Sequence, residues 1–190
     1  MTVSERAKMV CSRIIELSDK KERVIVAIDG RCASGKTTLA REIAEKLDCN
    51  IFHMDDFFLR PEQRSEARRN TPGENVDHER FLSEVLIPLS KGESFSYEAF
   101  DCHTLGFKPP IAVTPKAIAV VEGSYACHPS LCGYYDLRIF SDIDPDEQMR
   151  RITERNGKEG AARFKELWIP LEEAYFKAFW VKENCDLFIK

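Results

Sequence analysis

Val24-Ile25-Val26-Ala27-Ile28 and, two residues on, Gly30-Arg31-Cys32-Ala33-Ser34-Gly35-Lys36-Thr37 form the stretch that decides the fold. The five apolar residues read as a strand buried on both faces, as in a parallel sheet. Gly30 to Thr37 fits G-x-x-x-x-G-K-[ST], and Thr37 to Leu47 continues with apolar residues at helical spacing, so the loop opens a helix. Its glycines let backbone N–H groups turn inward around phosphate oxygens, and the helix N-terminus adds partial positive charge. Lys36 is placed to reach the outer phosphates and Thr37 to hold Mg²⁺. Gly30 through Thr37, with Thr38, are therefore the expected nucleoside triphosphate-binding residues.

Further apolar segments complete a sheet. Asn50-Ile51-Phe52-His53-Met54 predicts a second strand with Asp55-Asp56-Phe57-Phe58 at its C-terminal end. Ala117 to Val121 predicts a central strand ending at Glu122-Gly123, Leu137 to Phe140 a fourth, and Asp186 to Ile189 a short last one. Helical stripes run through Val3 to Leu17, expected to cover one edge of the sheet, and from Asp77 or His78 to Lys91-Gly92. Another runs from Pro145 to Arg155 with Asp144 as N-cap, and a last from Gly160 to Phe179, interrupted near Pro170. Residues 60–75 read as a polar, basic surface loop with one short helix, and Ser94 to Pro115 as a small β excursion or hairpin.

This alternation implies an α/β fold: one domain over residues 1–190, a three-layer arrangement with a parallel sheet of about five strands and helices on both faces. A substrate-side excursion is expected at about 60–115 and a helical lid at about 147–165. Ligands of such sheets bind at the strands' C-terminal edge, so the glycine loop, Asp55-Asp56 and Glu122-Gly123 should meet there.

A chain of 190 residues with 43% hydrophobic content suits a single core. The net charge of −4 gives no general attraction to nucleic acid or an anionic membrane, and no stretch is apolar enough to span a bilayer. Arg60, Arg64 and Arg68 recur every fourth residue without interleaved aromatics, which fits an exposed loop beside the substrate better than a nucleic-acid contact. Residues 1–21 are broken by charges and lack the apolar core of a signal peptide. Seven scattered cysteines without an export signal predict reduced thiols in a cytoplasmic protein, and Cys127-His128 with Cys132 lacks the second pair of a zinc finger. Cys32, inside the loop, is expected to have a lowered pKa from neighbouring backbone donors, so that its alkylation blocks nucleotide binding.

Phosphoryl transfer needs a metal on the outer phosphates, cations over the transferring group, and a carboxylate for the acceptor hydroxyl. Glu122, ending an apolar strand, is the candidate strand-end acid near Mg²⁺, with Thr37. Asp55 is favoured as catalytic base and metal-shell residue, with Asp56 in reserve, because adjacent side chains on an extended backbone diverge. Arg150, Arg151 and Arg155, with Arg163 beyond the Gly157-Lys158-Glu159-Gly160 break, suggest a hinged lid that carries arginines over the phosphates. Glu147 and the fourfold spacing also suit a solvated, ion-paired helix face, with the lid the favoured reading.

In this order and at this spacing the segments resemble the uridine kinase and phosphoribulokinase group of P-loop kinases, over most of the chain. Gly30 to Thr37 is similar to that group's ATP loop, Met54-Asp55-Asp56-Phe57-Phe58 to its Asp-x-Phe-Tyr segment, Asn75-Val76-Asp77-His78 to its Phe-Asp-His segment, and Val121-Glu122-Gly123 to its strand-end Glu-Gly. The resemblance implies ATP and Mg²⁺ as cofactors, Asp55 as base, Lys36 on phosphate, Thr37 and Glu122 near the metal, Asp77 near a substrate sugar, and Arg151 and Arg155 in the lid. Tyr97-Glu98-Ala99-Phe100-Asp101-Cys102-His103 partly reproduces the group's nucleoside-reading hairpin with the acid displaced: either Tyr97 or Phe100 takes the aromatic position, His103 is a base contact or a plain hairpin side chain, and Tyr97 and His103 are the expected substrate contacts. Arg155-Asn156-Gly157 replaces the group's Arg-Gly-Arg lid ending. The implied reaction is phosphorylation of a small-molecule hydroxyl, first of all the 5′-hydroxyl of a pyrimidine ribonucleoside such as uridine. Pantothenate, a sugar phosphate or nicotinamide riboside are alternative acceptors, and a nucleotide-dependent switch protein is the alternative class. A homo-oligomer is left open.

Overall fold

The computed structural model describes residues 3–190, opening with helix α1 (Val3–Ser18), strand β1 (Val24–Gly30), α2 (Lys36–Ala44) and β2 (Cys49–His53). The substrate-side segment follows: α3 (Glu66–Asn70), then α4 (His78–Phe81) and α5 (Ile87–Lys91), joined by a π turn. Short strands β3 (Phe95–Tyr97), β4 (Phe100–Asp101), β5 (Gly106–Phe107) and β6 (Ile111–Val113) come next. The chain closes with β7 (Ile118–Glu122), β8 (Leu137–Ser141), α6 (Pro145–Arg163), α7 (Ile169–Phe179) and β9 (Leu187–Ile189).

Five parallel strands form one sheet in the order β2-β7-β1-β8-β9, with β1 central and buried along its whole length. Side chains alternate across the pleat. Val24, Val26 and Ile28 point to a core with Ala7, Val10 and Ile14 of α1 and Leu39 and Ile43 of α2. Ile25 and Ala27 point to the opposite core with Phe57, Phe81, Leu86, Tyr175 and Phe176. The layered α/β architecture read from the sequence is therefore present, with one change of detail. α1 packs beside α2 over a face of the sheet rather than along its edge, because Val10 and Ile14 find their apolar partners there.

The helix expected to break near Pro170 instead continues from α6 into α7 through a π turn at Phe164–Trp168. The same device precedes Pro88, where Leu82–Leu86 winds as a π turn. A proline cannot donate to the i−4 carbonyl and its ring crowds that carbonyl; the looser winding of the turn before it relieves both conflicts. The break at Gly157 is real, with φ 71° and ψ 178° inside α6. Asp144 caps α6 by accepting from Asp146 N–H.

The β excursion consists of two antiparallel pairs, β3 with β6 and β4 with β5. Arg60, Arg64 and Arg68 do not form one helical stripe, since Arg60 precedes a 3-10 turn and Arg68 lies in α3. Arg64 Nε donates to Leu59 O, and Arg68 donates to the carbonyls of Glu74 and Val76 and to Glu79. They fold the loop onto itself.

Candidate active site

The loop between β1 and α2 is shaped by backbone constraints before any side chain acts. A Cβ on Gly30, at φ 128°, would lie 2.0 Å from Ser141 O at the end of β8. Ala33 and Gly35 also have positive φ, 61° and 94°. Gly35 is the N-cap of α2 and provides no side-chain cap, so the first-turn N–H groups of that helix face the loop's interior. Ser34 Oγ is buried without a protein partner. A small cavity of about 80 Å³ borders Ser34, Gly35, Thr38, Ser141 and Arg151. Uncapped donors, an orphaned hydroxyl and a cradle of inverted backbone fit a phosphate chain. Lys36 Nζ is buried against the loop, donating to the carbonyls of Gly30 and Arg31.

Sheet register brings the acids to this loop. Ile28 and His53 both align with Glu122, so the ends of β1, β2 and β7 are level. Glu122 is buried; its Oε1 accepts from Thr37 Oγ1 at 3.0 Å and pairs with His53 Nδ1 at 2.6 Å. That hydrogen bond is the main reason the His53 pKa is raised above its ordinary value, against the opposing effect of burial.

Residues Met54–Phe57 form a 3-10 turn, not the extended backbone expected. Asp55 reaches the surface of the cleft but is walled by protein. That desolvation, then the charge of Glu122, raises its pKa, with Lys36 and His53 opposing. Asp56 is raised by burial too, with His53, Lys108 and Arg80 opposing. Asp55 is thus coupled to Glu122 and Lys36, and Asp56 to His53, Lys108 and Arg80, with Glu122 acting on both. Thr37, Glu122 and Asp55 offer the oxygen donors that suit Mg²⁺.

The arginines expected in a lid separate. Arg151 Nε is held by Glu147 at 2.7 Å while its guanidinium donates to Ala33 O at 3.2 Å, on the phosphate loop. Arg155 is exposed, bonded to Asn156 and lying over the Phe164 ring, beside the Gly157 break in α6. Arg150 pairs with Glu147 and Glu154 on the outer face, and Arg163 is exposed.

Among the expected acceptor contacts, Asp77 is buried as the N-cap of α4; it accepts from Arg80 N–H and from Gln63 Nε2. Tyr97 is buried, stacked on Phe57, and its pKa is pushed up to about 12 by desolvation and then by Asp56. His103 is exposed at the turn between β4 and β5, its N–H donating to Asp101. Neighbouring Cys102 has its pKa raised, first by burial, with Arg64 opposing and the charges of Asp101 and Asp55 adding to it.

Cys32 contradicts its expectation. Its thiol is pushed up to about 12 by burial and then by Glu172, not lowered. Its backbone is gripped from α6 and α7: Cys32 N–H donates to Glu172 Oε2, and Gln148 Nε2 donates to Cys32 O. Glu172 also accepts from Ser124 Oγ, just past the Glu122-Gly123 strand end.

Beneath the loop, Asp29 is fully buried, accepting from Gly30 N–H, Cys127 N–H and Tyr175 O–H. Burial raises its pKa to about 6 despite these donors. Asp29, His53, Gln148 and Glu172 are the supporting residues that sequence reasoning missed. Period-two spacing from Asp55 back to His53 at a strand end was a usable signal for one; Gln148 and Glu172 act across 116 and 140 residues, where no local pattern exists.

No protein-family model matches the chain. It is 31% identical over 147 residues to a uridine kinase of Clostridium novyi, covering 72% of this chain and 69% of that protein. A uridine kinase of Staphylococcus haemolyticus is 30% identical over 146 residues, covering 71% and 69%. In structure the chain resembles a possible uridine kinase from Bacillus stearothermophilus, with a TM-score of 0.76 and 18% identity over all of both chains. D-glycerate 3-kinase from Cryptococcus neoformans gives 0.61 and 14% over 90% of this chain and 87% of that one. The two structural likenesses bear on fold alone.

Proposed function

The chain belongs to the uridine kinase family, a phosphotransferase family with an alcohol group as acceptor, and from that premise we propose that it phosphorylates the 5′-hydroxyl of a pyrimidine ribonucleoside with ATP and Mg²⁺. The observation that carries the reading is the meeting of Thr37, His53 and Glu122 within hydrogen-bonding distance, with Asp55 electrostatically coupled to Glu122 and Lys36. Bound Mg·ATP supplies the phosphoryl group and neutralises its charge in transfer. The uncapped first turn of α2 and Ser34 would receive phosphate oxygens, and Lys36 would exchange the Gly30 and Arg31 carbonyls for them. Thr37, Glu122 and Asp55 would hold the metal. Asp55 would orient the acceptor hydroxyl and take its proton, and Arg151 and Arg155 would close from the lid over the transferring group.

A second acceptor class is favoured by one observation. Asp77 and Tyr97, the expected sugar and base contacts, are both buried, and the Asp77 carboxylate is engaged by Gln63 and the start of α4. ADP release coupled to added acceptor decides between the two. Uridine or cytidine should give saturable turnover under the first reading. Turnover only with pantothenate, nicotinamide riboside or a sugar phosphate would replace the acceptor, and acceptor-independent hydrolysis that responds to a protein partner would indicate a switch.

A further inference from the structure

Two of the chain's four histidines come together away from the phosphate loop. His78 opens α4 and His128 lies in the loop after β7; their rings stack with centroids 3.9 Å apart and 18° between planes. Glu74 Oε1 lies 3.2 Å from His78 Nε2 and 3.8 Å from His128 Nε2. One hydroxyl serves both opposite nitrogens: Ser130 Oγ is 2.7 Å from His128 Nδ1 and 3.1 Å from His78 Nδ1. Both histidines are buried, and one ligand atom from each of the three residues can be chosen within 4.8 Å of the others.

We propose that Glu74, His78 and His128 form a site for a divalent ion of the zinc class, distinct from the proposed Mg²⁺ position at Thr37 and Glu122. Two imidazoles and one carboxylate are the donor set of a borderline ion rather than of Mg²⁺. Ligands on a tetrahedral zinc at bonds of about 2.0–2.2 Å stand about 3.4 Å apart, close to the spacing Glu74 already keeps from both Nε2 atoms. Ser130 Oγ can accept from the other nitrogen of each metal-bound imidazole, with both Nε2 atoms then facing Glu74, once the Ser130 N–H that donates to His128 Nδ1 at 3.3 Å turns away. A Cβ on Gly73 would lie 2.9 Å from His128 Cδ2, so the ring's seat depends on bare backbone beside Glu74. Glu79 Oε2, 3.6 Å from His78 Nε2 and paired with Arg68, is placed to supply a fourth oxygen. Stacked rings aim their nitrogens nearly in parallel, so ion binding must rotate the two planes apart. The bound ion would tie the turn carrying Asp77 to the loop that leaves Glu122.

The test is titration of the chelator-treated chain with zinc sulfate, read by calorimetry and by histidine-ring NMR. One zinc per chain is expected at this cluster, with the Nε2 signals of His78 and His128 moving to the metal-bound range and their stacking shifts disappearing. His128→Asn and Glu74→Gln should each weaken binding about 100-fold or more, and Ser130→Ala about 10- to 100-fold. His53→Asn, at the other acid–imidazole pair, should leave affinity within about twofold. Unmoved His78 and His128 signals at saturating zinc overturn the proposal whether or not the variants fold. Binding that survives Glu74→Gln and His128→Asn, or that His53→Asn abolishes, overturns it as well.

Discussion

Thr37 Oγ1 stands 3.0 Å from Glu122 Oε1, joining the first turn of α2 to the end of β7 across 85 residues of sequence. His53 reaches the same carboxylate oxygen from the end of β2. Parallel register explains the meeting: strands that end level deliver their following loops to one edge, and a glycine loop after the central strand then faces acids from its neighbours. The chemistry of the cleft follows from where strands stop.

Asp55 is the side chain whose loss should separate chemistry from binding. Asp55→Asn keeps the size of the group and removes its basicity. Turnover should fall by about 100-fold or more, the range for a lost general base, while ATP affinity changes by less than about threefold. Equilibrium ATP binding beside steady-state ADP release checks this, and near-normal turnover would remove Asp55 from the mechanism.

The raised carboxyl of Asp55 also sets a pH limb. A base must be ionised, so kcat/KM should fall as pH drops through a value above the usual 3.8. His53 is cationic in that range and lowers the Asp55 pKa, so His53→Gln should move the limb to higher pH. Stability gives a second readout with its own sign. His53 binds its proton more tightly folded than unfolded, so its contribution is full below pH 6.5 and is lost as pH rises through the raised value. The gap in Tm between the parent chain and His53→Gln should shrink over that rise. A gap constant from pH 5 to 9 would show that protonation of His53 does not matter.

Sheet, phosphate loop and strand-end acids were legible because each is written locally: an apolar run, a glycine pattern, a carboxylate where the run stops. The supports of the loop were not. Glu172 and Gln148 sit on helices whose sequence shows only amphipathic spacing, and their task exists only once the chain has folded back on Cys32. Cys32 was misjudged for the same reason. The backbone donors of the loop imply a low pKa, but the burying wall and the Glu172 carboxylate come from distant segments and dominate. Asp77 shows the converse, a motif position whose carboxylate is engaged as a helix cap.

Thiol chemistry should reflect that environment. Cys32, buried and pushed up to about 12, carries almost no thiolate near neutrality, whereas Cys102 is exposed. Limited alkylation with iodoacetamide at pH 7.5, followed by peptide mass spectrometry, should label Cys102 at least about tenfold faster than Cys32. Glu172→Gln removes a neighbouring charge that holds the thiol up, so it should accelerate labelling of Cys32. Faster labelling of Cys32 than of Cys102 in the parent chain would contradict the buried placement.

Gly30 tests the loop's backbone. Its Cβ position is already filled by the Ser141 peptide, at 2.0 Å from the carbonyl oxygen, and its φ of 128° is hostile to an L side chain. Relief requires β1 and β8 to separate at the cleft. Gly30→Ala should therefore destabilise the chain by more than about 4 kcal/mol in urea unfolding, among the largest single-residue effects expected. A loss under 1 kcal/mol would mean that the strand ends are not so closely packed.

Asp29 underlies the loop and makes stability depend on pH. Its carboxyl titrates near 6 when folded against 3.8 in the reference state, so the folded chain holds the proton longer and stability falls as pH rises between those values. Full burial makes the effect of order 3 kcal/mol. Tyr175 donates to this carboxylate, and an ionised acceptor takes more from that bond than a neutral one. Tyr175→Phe should accordingly cost about 1.5–3 kcal/mol at pH 7.5 and about 1 kcal/mol or less near pH 5, where Asp29 is mostly protonated. Urea unfolding at the two pH values measures the difference. An equal cost at both would show that Tyr175 supports the loop through ring packing alone, with the Asp29 charge playing no part.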